Sequence, residues 1–270
     1  MKKIVMLLIV LMMQKLSAQE LYIFSEPASN MPAKSLSIKQ TAKLLNDQNN
    51  IFRQRQLTEL MIGLNKNLML HIGTTFSTMF TDNIKWESVK LYAKYRFFEN
   101  DKMQAHFRMA AFTEAAYSNN NPVLDEISLD GDQRGVQLGL IATQLIHKLA
   151  LSSTISIAEN YQLSRFNKVI PQPNAYQAIS YSLSAGYLLL PKEYINYSQT
   201  NINVYIELLG QKSIDQNKYF IDLAPAAQFI FNSAVKVNTG YRFQLNGNMQ
   251  RMSSNSFLIS IEWLFLNVLK

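Results

Sequence analysis

The 270-residue sequence has no cysteine, so neither a disulfide framework nor a thiolate metal site can stabilise the chain. Beyond the first residues no stretch stays apolar for 18 positions, which excludes a membrane-spanning helix. The formal charge of +7 includes Lys2, Lys3 and Lys15. Without them it is +4, too mild to point to nucleic acid. Only three histidines occur, His71, His106 and His147, and no H-x-x-x-H pair, calcium-loop pattern or glycine-rich phosphate loop is present. What remains must draw its stability from packing or from a membrane.

The start of the chain addresses the compartment. Lys2 and Lys3 precede the uncharged apolar run Ile4–Met13, and Leu16-Ser17-Ala18 offers a small-residue cleavage site. Residues 1–18 are therefore expected to be a cleaved secretory signal peptide. Residues 19–34, interrupted by Pro27 and Pro32, are expected to form an irregular periplasmic lead-in. Residues 35–270 then make one β domain.

From Ser35 onward the dominant period is two. In SVKLYAKYRFF, Val89, Leu91, Ala93, Tyr95 and Phe97 share one face of an extended strand. Lys90, Tyr92, Lys94 and Arg96 share the other. Twelve such segments are expected, from Ser35–Leu45, Gln56–Leu64, Leu68–Phe80 and Trp86–Phe98 at one end to Val235–Leu245 and Asn255–Phe265 at the other. Their connections alternate in length. Tight links such as Asn65–Asn67, His147-Lys148 and Asn232–Ala234 take turns with longer ones such as Asn46–Arg55 and Ser118–Gln133. Short turns at one end and long loops at the other belong to an outer-membrane barrel. The expected fold is all-β: a single closed antiparallel transmembrane barrel of about 12 strands with up-and-down topology.

Glycine position indicates which face is inside. Gly63, Gly73, Gly135, Gly139, Gly186 and Gly240 all fall on the polar phase of their strands, joined there by Ala150, Ser152, Ser156, Ala178, Ser180, Ser182 and Ser184. Small residues leave room for long neighbours on the concave side of a narrow barrel. The polar face should thus line the lumen and the apolar face should meet lipid. Aromatics near the strand ends, among them Trp86, Tyr117, Phe97 and Trp263, fit two interfacial girdles. Pro225 cannot donate to a ladder, so either a bulge at that position or a different strand boundary is expected.

Four stretches carry a resemblance: SEPASNMPAKS (Ser25–Ser35), LYAKYRFFEND (Leu91–Asp101), HFRMAAF (His106–Phe112) and ATQLIHKLALS (Ala142–Ser152). Through them the chain resembles uncharacterised Bacteroidota outer-membrane β-barrel proteins of porin-like or transporter-like kind. The resemblance implies location and architecture over nearly the whole chain after residue 18 and brings no assigned substrate. It departs from the usual barrel ending, since Phe265 is followed by Leu266–Lys270.

No catalytic constellation emerges, and no enzyme, cofactor or metal is expected. A membrane hydrolase needs a histidine and a serine together on the lipid face, whereas His71 and His106 lie on the inward phase and His147 in a turn. Asp125, Glu126, Asp130 and Asp132 crowd one external loop, which is expected to be solvated. The chemistry is left to inward charges: Lys90, Lys94, Arg96, His106, Arg108, Glu114, Glu207, Asp222, Arg242 and Glu262 are the expected pore lining. Lys90, Lys94, Arg96 and Arg108 form its selectivity wall. The expected function is passive or substrate-specific passage of small polar or anionic solutes across the outer membrane through a basic-biased lumen. A plugged structural or adhesive barrel whose loops bind a partner is the first alternative. A soluble periplasmic ligand carrier is the second.

Overall fold

The computed structural model describes residues 22–103, 105–161, 175–192 and 199–269. The expected signal peptide, most of the link Asn160–Asn174 and much of Pro191–Ser198 lie outside the described residues.

Twelve strands close into one barrel, each antiparallel to its chain neighbours. They are β1 (Ser35–Asn46), β2 (Phe52–Gly63), β3 (Leu68–Ser77), β4 (Lys85–Lys102), β5 (Ala105–Ser118) and β6 (Gly135–Ile146). Then follow β7 (Leu149–Asn160), β8 (Gln177–Leu190), β9 (Asn201–Ser213), β10 (Tyr219–Phe231), β11 (Val235–Gly247) and β12 (Asn255–Phe265). Closure is made by β1 against β12, in register from Leu36↔Phe265 to Leu44↔Phe257. No strand edge is left unpaired, which is the condition for placing a sheet in hydrocarbon.

The wall is built inside out relative to a soluble domain. In β4, Leu91 is 57% exposed and Tyr95 53%, while the intervening Lys94 is 0% exposed. The same alternation recurs around the barrel: Leu138, Leu140, Ile155, Leu183 and Ile206 face outward, and Ser152, Ser184, Glu207, Asp222 and Glu262 are buried. Trp86, Phe97, Tyr117, Tyr187, Phe257, Trp263 and Phe265 stand exposed near the strand ends.

Turns and bulges follow local chemistry. Asn232 and Ser233 both have positive φ, 51° and 54°, as a hairpin turn with matching twist requires. A bulge between Arg96 and Phe98 turns both Phe97 and Phe98 outward and brings Glu99 opposite Arg108. The bulge expected at Pro225 is found instead between Ile221 and Asp222. At Pro225 itself the strand runs on unshifted: Pro225 pairs with Ile206 of β9, and pairing with β11 passes from Leu223↔Phe243 to Ala226↔Gly240. The missing N–H is thus accommodated by a gap in one ladder.

Candidate functional site: a lumen enclosed by two inserted segments

Two stretches outside the strands enter the barrel from opposite ends. From the end with short turns comes the segment 22–34, an irregular run that leads into β1. From the end with long loops comes the link 119–134 between β5 and β6, here called loop 3.

The segment is held by side chains of the wall. Glu207 accepts hydrogen bonds from the backbone N–H groups of Ile23 and Phe24, both at 2.9 Å, and from the Ser25 hydroxyl at 2.6 Å. Ser184 donates to the same carboxylate at 3.2 Å. Further along, Thr143 accepts the Ala28 N–H at 2.9 Å. Lys94 donates to the carbonyls of Pro27 (2.7 Å) and Ser29 (3.0 Å) and pairs with Glu26 at 3.1 Å.

Small wall residues make this insertion possible. Tyr22 packs in a cluster with Ala150 and Tyr205, Ala28 with Ala110 and Ile141, and Met31 with Met61, Met69 and Tyr92. A Cβ on Gly240 would come within 2.6 Å of the Phe24 ring. One on Gly63 would come within 2.9 Å of Met31. The inward glycines thus accommodate the segment as well as neighbouring strand side chains.

Loop 3 is tied down by charge. Asp125 pairs with Lys218 at 2.7 Å and accepts the Gln250 N–H at 2.7 Å. Glu126 pairs with Arg251 (2.9 Å) and Arg242 (3.2 Å), Asp130 with Lys90 (2.6 Å), and Asp132 with Arg55. Gln211 brackets Ile127, accepting its N–H at 2.8 Å and donating to its carbonyl at 2.9 Å. At Gly131 the backbone adopts φ +127°, and an added Cβ would lie 2.6 Å from Glu87, so only glycine fits the bend. These acids form no solvated external loop. Complementary cations on three strands (Arg55, Lys90 and Arg242) and two neighbouring loops (Lys218 and Arg251) draw the acidic loop inward. Burial alone would push the Glu126 carboxyl up, but Arg251 and Arg242 outweigh it and hold it well below the usual carboxylate range. The Lys90 ammonium holds Asp130 down to about 2.

Between segment and loop lies a chamber of about 390 Å³. One side carries Lys39, Lys43, Glu59, Lys90 and Glu114 from β1, β2, β4 and β5, while Gln137, Thr154, Ser156, Ser180 and Ser182 of β6, β7 and β8 line another.

The structure turns the ten expected lining residues inward or to the turn-end rim, and it pairs most of them. Lys90 reaches Glu59 and Asp130, Lys94 the segment, and Arg96 reaches Glu99 at 3.0 Å. Arg108 binds Asp101 at 2.6 Å, and His106 sits 3.0 Å from the same carboxylate. Asp222 is shared by Arg242 and Arg251, and Glu262 pairs with Lys236 at 3.1 Å. Glu207 serves the segment, and Glu114 lines the chamber. Lys90 and Lys94 therefore stand at different inserted pieces, Lys90 at loop 3 and Lys94 at the segment. His71 stacks on Tyr92 with ring centres 4.8 Å apart. Among the described residues, no group of three or more His, Asp or Glu side chains is arranged to hold a metal.

No known protein-family model matches the chain, and no curated protein matches it either. Solved structures do. An outer membrane channel from Pseudomonas putida F1 superposes with a TM-score of 0.58 at 10% identity, over 90% of this chain and 100% of that one. The KdgM porin in complex with disordered oligogalacturonate gives 0.51 at 9% identity, over 86% and 99%. The beta domain of the Bordetella autotransporter Brka gives 0.51 at 9% identity, also over 86% and 99%. The chain has the fold of outer-membrane barrels, porins and channels among them. Identities this low establish the fold alone.

Proposed function

We propose that the chain is an outer-membrane barrel, exported by its N-terminal residues, that passes small polar or anionic solutes and is held closed by its own segment 22–34 and loop 3. The carrying observation is a polar, charge-lined chamber lying between two inserted segments, inside a barrel whose outer surface is apolar. Filling the lumen with segments that are not strands, fixed by discrete hydrogen bonds and ion pairs, supports a gate more than a solid core. A core of inward side chains alone would need neither. In this reading the short-turn end faces the periplasm. Lys90 and Lys94 have two roles: they bind loop 3 and the segment in the closed state and bias the wall toward anions once those pieces withdraw. Arg96 and Arg108 extend that wall at the turn-end rim.

A second reading, a permanently plugged structural barrel whose loops bind a partner, is supported by the firm anchoring of both inserted segments to the wall. Planar-bilayer recording separates the two. The full chain should give small, intermittent currents, and a variant lacking residues 22–33 should give larger and steadier ones with a preference for anions. A folded barrel that stays silent in both forms would overturn the passage reading and favour the plug.

A further inference from the structure

Two further cavities lie on the loop-end side of the chamber. A vestibule of about 630 Å³ opens at the loop end between the links 47–51 and 248–254. A small cavity of about 20 Å³, room for about one water, lies between the two spaces and is called the neck here. Leu45, Arg251 and Ser253–Ser256 line both vestibule and neck. Lys43, Arg55, Glu126 and Arg242 line both neck and chamber.

The cations around this neck differ in one respect. Arg55 is committed to Glu87 and Asp132, Arg242 to Asp222 and Glu126, and Arg251 to Glu126 and Asp222. Lys43 makes no hydrogen bond or ion-pair contact with a described residue; burial and the nearby Arg242 and Arg55 oppose its charge, and the fields of Glu126 and Asp132 favour it. Both of those carboxylates are already engaged by arginines. Lys43 therefore presents an ammonium, at the junction of neck and chamber, that the protein itself does not neutralise by contact.

Across the ring of twelve strands from β1 stand β7 and β8, whose contribution to the chamber is uncharged: Thr154, Ser156, Ser180 and Ser182. The hydroxyls of Thr154, and of Thr41 on the Lys43 side, are buried without a hydrogen-bond partner. Buried polar atoms left unpaired are costly, and a ligand with its own hydroxyls would relieve that cost.

We propose that Lys43 is the anion-binding station of a solute site, and that the solute is a small polyhydroxylated carboxylate. Its carboxylate sits on the Lys43 ammonium and its hydroxyls reach the serine and threonine wall. The proposal rests on the passage reading for its purpose, but the site can be tested by binding alone.

The test is calorimetric titration of the full barrel in detergent with three probes: gluconate, sorbitol, which keeps the hydroxyls without the charge, and hexanoate, which keeps the charge without the hydroxyls. Gluconate should bind, and each of the others should bind about tenfold or more weakly, the weight of one hydrogen bond to a charge. Lys43→Met should abolish gluconate binding with the melting temperature unchanged, and Lys43→Arg should retain it. Gluconate binding that survives Lys43→Met, or that hexanoate equals, would overturn the proposal. Gluconate bound by a barrel that never conducts would sustain this site and defeat passage. Conduction without gluconate binding would sustain passage and defeat the site.

Discussion

The Glu207 carboxylate on β9 receives the backbone N–H of Phe24 at 2.9 Å, across 183 positions of sequence. With Ile23 and Ser25 bonded to the same group, one wall side chain holds the start of the described segment. Hydrogen bonds to a charged group contribute about 1.5 to 3 kcal/mol each. Glu207→Ala should therefore release residues 22–25 while the barrel remains folded. Hydrogen exchange should show Ile23 and Phe24 amides losing protection by 100-fold or more, the equivalent of about 3 kcal/mol. Unchanged protection would remove Glu207 from the latch.

Gly240 tests the same insertion from the steric side. A Cβ there would meet the Phe24 ring at 2.6 Å and 2.9 Å, closer than van der Waals contact allows. Gly240→Leu should cost about 1 to 3 kcal/mol by overpacking if the ring stays in place. Truncating that ring should relieve the clash, so the double variant with Phe24→Ala should recover most of the lost denaturation midpoint. If Phe24→Ala gives no rescue, Phe24 does not occupy the space beside Gly240.

Loop 3 should respond to acid late. The Glu126 carboxyl is held well below its ordinary value of 4.5. A depressed carboxyl contributes stability that is fully present above the ordinary value and is lost progressively as pH falls from there through the depressed one. Asp130, held down to about 2 by Lys90, behaves in the same sense. A single cysteine at Ser128, in a chain that has none of its own, should resist a thiol-reactive probe that works in acid from pH 7 down to about pH 4. Labelling that rises between pH 6 and 4 would mean the loop is held by something other than these ion pairs.

Much of the barrel was legible because a wall between lipid and lumen imposes a strict period of two. All twelve strands follow from that alternation, and the turn at Asn232–Ala234 from its residue types. Legibility failed where the constraint lapsed. β2 begins at Phe52, ahead of the expected Gln56, because Arg53 and Gln54 interrupt the apolar alternation. β4 runs on to Lys102 through Glu99, Asn100 and Asp101, where hydrocarbon no longer demands apolar residues. Alternation marks the residues of the polar face as inward, yet it does not name their partners. Segment 22–34 has no period, and the contact from Ile23 to Glu207 spans 184 positions, so nothing local announces it. The acids of loop 3 looked like a solvated run because their cations come from distant strands. Nothing local in the sequence sets Lys43 apart, since its lack of a partner becomes visible only once every other cation near the neck has one.

Closure of the lumen by the segment is tested most directly by locking it. The hydroxyls of Ser25 and Ser184 lie 2.9 Å apart, one on the segment and one on the wall. In the double variant Ser25→Cys, Ser184→Cys, the oxidised barrel should be silent in a planar bilayer, and adding a reductant should start current in the same membrane. Equal current before and after reduction, with the cross-link verified by mass, would contradict the account.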